Sequence, residues 1–126
     1  MMRMVFGLVV AFGVFAVCFA LHIVGGATDQ GWLFGAAVVL IFVTAAGYPA
    51  IALGASGLGM ETREGRWTLL AGMVVGDLLT TSALWAAAGR SLVWWQPFMA
   101  AVIVGVVSMG MLWAMRSVGM IRAEAA

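Results

Sequence analysis

The sequence predicts an all-α integral membrane protein, a bundle of four transmembrane helices with both termini in the cytoplasm. Three observations carry this. Of 126 residues, 65% are hydrophobic and 9% charged, against about 25% charged in an ordinary soluble domain. So few charges cannot clothe a soluble surface. The chain divides into four apolar stretches, each near the ~20 residues that a spanning helix requires. Its basic residues, all arginine, are distributed unequally between the two ends of those stretches.

The spans are expected at residues 4–24, 32–55, 67–88 and 96–116, in a single domain covering 1–126. The first follows Met1-Met2-Arg3, as a signal peptide would. Its apolar run, 4–21, exceeds the usual core of about 7–15 residues, and no A-x-A cleavage site precedes His22, so a retained span is expected. Gly25-Gly26 stops it, and Thr28 or Asp29 is placed to cap the second. Within the second, Tyr48-Pro49 interrupts a regular run; Pro49 removes one backbone bond and is expected to kink the helix. The segment Ser56-Gly57 through Arg66 carries Glu61, Arg63 and Glu64 and reads as a solvated loop. Pro97 suits the first turn of the fourth helix, where its missing N–H costs nothing.

Orientation follows from arginine. With four spans, one side holds Arg3, Arg63, Arg66, Arg116 and Arg122, and the other Arg90 alone. The basic side faces the cytoplasm. Tryptophan agrees. Trp67 and Trp113 fall at cytoplasmic ends of spans, and Trp32, Trp85, Trp94 and Trp95 at outer ends, as interfacial belts require. A bacterial inner membrane is the expected location.

Asp77 is the residue most in need of explanation. It lies near the middle of the third span, where a carboxylate costs roughly 2.5 kcal/mol or more to insert and needs a partner, a proton or a wet cavity. Thr44 and Ser108 fall within about a helical turn of its depth, given ~1.5 Å of rise per residue. Thr80 and Thr81 follow it at i+3 and i+4, on the same helix face. Asp77, Thr80, Thr81, Thr44 and Ser108 therefore form an expected polar layer, serving as a proton or cation site or as interhelical glue. A third role is pairing with a partner's arginine or lysine. Gly72 and Gly76 make a small-xxx-small pair for close helix packing.

His22, the single histidine, lies about 12 Å from midplane by helix rise. It is a candidate axial ligand for one metalloporphyrin or chlorin, set against the plainer reading of an interfacial imidazole. Met111 and Met115 at i, i+4 have a spacing open to Cu(I), but core packing explains them more simply. Cys18, the one cysteine, excludes an intrachain disulfide or multi-cysteine cluster. Scattered arginines argue against nucleic-acid binding. There is no nucleophile–base pair, carboxylate pair, phosphate-binding loop or metal set, so no enzyme is expected and no cofactor is specified.

The expected function is a non-catalytic accessory or structural subunit of a larger membrane complex, of respiratory or photosynthetic type. The alternative is a small homo-oligomeric transporter or channel using Asp77 as its proton- or cation-binding site. The expected partners are the lipid bilayer with other membrane subunits or further copies of the chain.

Overall fold

The computed structural model describes residues 2–89 and 94–118. Among these the chain is helical throughout: α1 (Met2–Ala27), α2 (Gly31–Ala46), α3 (Tyr48–Ser56), α4 (Arg63–Ala87) and α5 (Trp95–Ser117). By length and composition, α1, α4 and α5 can each cross a membrane, and α2 with α3 forms a bent pair that passes the same test together.

The helix pattern departs from the expected one at 32–55. One kinked span was expected; the structure shows two helices meeting at 69°. Proline alone bends a helix less than this. Here Gly47 stands two residues before Pro49, and its N–H turns back onto the Val43 carbonyl at 2.8 Å. The Ala45 carbonyl loses the donor that residue 49 would supply, because proline has no N–H. A methyl group at residue 47 would meet the thioether of Met111, the mobile end of a flexible side chain, and lie 3.0 Å from the Val43 carbonyl oxygen.

The α2 helix has 16 residues and α3 has 9. At ~1.5 Å per residue, α2 rises about 24 Å, and α3, inclined by 69°, adds about 5 Å along the same axis. The pair thus spans about 29 Å against a hydrocarbon core of ~30 Å.

Helix ends follow local chemistry that hydropathy does not register. The α4 helix begins at Arg63, four residues before the expected start of the third span, because Thr62 caps it. The Thr62 Oγ1 accepts from the Gly65 N–H at 2.9 Å, and Glu64 in the first turn complements the helix dipole. At the other hairpin the expected caps are not used. Helix α1 continues through both glycines to Ala27. Thr28 donates to the Val24 carbonyl at 2.7 Å, and Asp29 turns the chain with φ of 59°. Gly25 is required for a different reason: a methyl group there would lie 2.7 Å from the Phe34 nitrogen of α2.

The packing is inverted relative to a soluble bundle. Large apolar side chains such as Val9 and Val17 of α1 and Val102, Val106 and Met109 of α5 face outward. The interior is built mainly from alanines, glycines and hydroxyl residues, with Leu53, Val104 and Gln96 the largest fully buried side chains among the described residues. Helix association without a hydrophobic driving force relies on such small residues. At the centre lies α3, which packs against both α1 and α4 with six of its nine residues buried. Ala11, Tyr48 and Ala52 form its core contact with α1, and the Tyr48 hydroxyl donates to the Leu8 carbonyl at 2.6 Å.

Candidate functional site at the helix break

The α4 helix buries Gly65, Thr68, Gly72, Gly76 and Thr80 along one stripe. That stripe meets the break. A methyl group on Gly72 would lie 2.7 Å from Pro49 Cα, and one on Gly76 would lie 2.9 Å from the Ala45 carbonyl oxygen and 3.2 Å from Tyr48 Cβ. The two glycines thus receive the corner of the broken helix. Only residues without a β-carbon let the backbones come so near.

Helix α5 reaches the same level from the other side. The Ser108 hydroxyl donates to the Ala46 carbonyl, the last residue of α2, at 2.9 Å. A carbonyl at a helix end has no intrahelical donor of its own and must be met from elsewhere. The end of α2, Gly76 and Ser108 therefore lie at one level of the bundle, and Asp77 adjoins them.

The flank occupied by Asp77 follows from helix geometry. Val75 and Leu79 pack against the Ala11–Tyr48–Ala52 cluster, on the α1 side of the glycine stripe. Asp77 is turned about 100° from Gly76 in the opposite sense. Among the described residues α1 and α5 make no contact, while α4 packs against both. Asp77 thus lies on the flank toward α5, half-buried, with Thr81 half-buried beside it.

The expected polar layer is not joined by side-chain hydrogen bonds. Thr44 is buried but donates to its own helix, at the Leu40 carbonyl, 2.7 Å away. Ser108 serves Ala46. The Asp77 Oδ1 and the Thr80 Oγ1 are both buried without a hydrogen-bond partner among the described residues. Thr80 is completely enclosed. These two oxygens, one turn apart on α4 beside a broken helix, are two of the three buried side-chain polar atoms without a partner among the described residues. Buried polar groups in proteins are almost always satisfied.

His22 lies elsewhere, near the α1–α2 hairpin. Its ring packs on Phe34 at 4.4 Å between centroids and on Phe19 at 6.1 Å. The Nδ1 is buried and accepts or donates nothing. A metal-bound histidine almost always donates its second ring N–H to an acceptor. His22 offers no such arrangement for binding a porphyrin through Nε2. Met115 packs over Gly54 as Met111 does over Gly47, so both thioethers of α5 lie against the broken helix. Cys18 is buried and free. No group of three or more His, Cys, Asp or Glu side chains suited to a metal occurs among the described residues.

Sequence reasoning did not find the participants supplied by the main chain. The Ala45 and Ala46 carbonyls have no side-chain signature. The one available signal was the Gly47-Tyr48-Pro49 triplet, in which glycine weakens the helix just where proline removes a donor.

The fold and site define a small helical protein with three to four candidate membrane spans and a carboxyl group set beside a discontinuous helix. No family model, curated protein or solved structure matches the chain.

Proposed function

We propose that this chain is a four-span membrane protein, with both termini cytoplasmic in a bacterial inner membrane, that binds a proton or a small cation at Asp77. It works as a homo-oligomeric transporter or channel. The observation that carries this reading is the Asp77 Oδ1, buried without a partner at the level of the α2–α3 break. Interhelical glue requires a bond to glue with; the Asp77 Oδ1 makes none, and the hydroxyl protons of Thr44 and Ser108 are given to backbone carbonyls. Discontinuous helices at membrane depth commonly frame coupling-ion sites, because unwound carbonyls and helix ends supply ligands there. The ~29 Å rise of the bent pair supports its counting as one span.

The second reading is the accessory subunit. Asp77 is half-buried, so an arginine or lysine of another subunit has access from the α5 flank. One variant separates the two. In the transporter, Asp77→Asn folds but loses proton- or cation-dependent flux in proteoliposomes. In the accessory subunit, Asn strands the partner's cation. Breaking such a buried pair costs about 3–5 kcal/mol, and co-purifying subunits are lost. Intact assembly with unchanged flux would remove Asp77 from both roles.

A further inference from the structure

A groove of about 520 Å³ lies between α1, α2 and α4, on the opposite side of the break from α3. Its walls are aromatic and aliphatic: Phe19 and Phe34 pack on the His22 ring, and the groove runs down past Phe15 to Ile41, Phe42 and Leu79. From Phe34 to Ile41 is seven residues, or about 10 Å along α2. Among the described residues of its lining only two side chains are polar, His22 and Ser82. The Ser82 hydroxyl is already given to the Leu78 carbonyl at 2.8 Å. His22 is therefore the one described side chain there with a donor to spare.

The imidazole's tautomer follows from its surroundings. Nδ1 is sealed against protein with no acceptor in reach. A buried N–H without an acceptor is rarer and costlier than a buried lone pair. The arrangement that avoids this cost has its N–H at Nε2, the ring's one donor toward the groove. The groove is partly open at the bundle surface, its apolar walls disfavour water, and left unfilled they forfeit dispersion contacts. Its occupant is thus an apolar body that presents one hydrogen-bond acceptor to Nε2.

We propose that the groove binds a lipid-soluble quinone-type molecule, its flat carbonyl-bearing ring lying among His22, Phe19 and Phe34 and its aliphatic tail running toward Ile41 and Leu79. The ring supplies the acceptor for the Nε2 proton and a face for the aromatic walls, which favour offset or tilted stacking. A plain acyl chain would fill the volume but leave the donor unmet. The site is independent of Asp77, and neither reading depends on the other.

The test is equilibrium binding of a radiolabelled decyl-substituted benzoquinone to the purified full-length chain in detergent, with decylbenzene as competitor. Saturable binding is expected, with decylbenzene competing at least tenfold more weakly. His22→Phe keeps the ring contacts and removes the donor, and should weaken binding about 3- to 10-fold, the range of one net hydrogen bond. Ala83→Trp fills the groove and should abolish binding while His22 is intact. Equal competition by decylbenzene, unsaturable uptake, or wild-type binding by Ala83→Trp would each overturn the proposal, leaving a groove filled by bulk lipid. Unchanged affinity in His22→Phe would overturn it equally.

Discussion

The hydroxyl of Ser108 on α5 donates to the main-chain carbonyl of Ala46, 62 positions earlier, at 2.9 Å. That bond meets the carbonyl of the last residue of α2 and ties the fourth apolar stretch to the break in the second. Ser108 is buried, so no solvent replaces it. Ser108→Ala leaves the carbonyl without this donor and should cost about 1–3 kcal/mol. A lowered thermal midpoint in detergent would show it. An unchanged midpoint would mean the carbonyl is satisfied without α5.

Gly76 and Gly72 admit no side chain without movement of α3. Gly76→Leu should prevent folding or lower the thermal midpoint sharply, since its β-carbon alone meets the Ala45 oxygen at 2.9 Å. Gly72→Ala is the milder probe, pressing on Pro49 Cα at 2.7 Å. Against these, Leu69→Val on a different face should change little. If both glycine variants melt like wild type, the close approach at the break is not needed for stability.

The bent pair makes topology a sharp measurement. If α2 and α3 together cross the membrane, a reporter active only outside the cytoplasm works near Gln30 and is silent near Met60 and after Ala126. If they re-enter instead, the Met60 and Ala126 fusions become active too, because the chain then crosses three times. The arginine distribution favours the first pattern. Activity at all three positions would refute the four-span count.

That this protein is helical, with helices long and apolar enough to cross a membrane, is written in its composition and hydropathy, because those properties are local. Twenty consecutive apolar residues need internal backbone bonding wherever they end up, and a helix supplies it within the segment. Depth is local too. Counting residues from the span ends sets Asp77 level with Thr44 and Ser108, and the contacts of Gly76 with Ala45 and of Ser108 with Ala46 lie at that level. The partners of each polar group are a different matter. A threonine in a helix can always turn to its own preceding carbonyl, as Thr44 does, and nothing in its sequence context says whether it will. Only the tertiary structure decided that the second span breaks through 69° and that Ser108 serves a main-chain oxygen. It also left the Asp77 Oδ1 and Thr80 Oγ1 without partners. The physical reason is that a freed carbonyl is met, or left unmet, by whichever helix packs beside it, and that neighbour is far away in sequence.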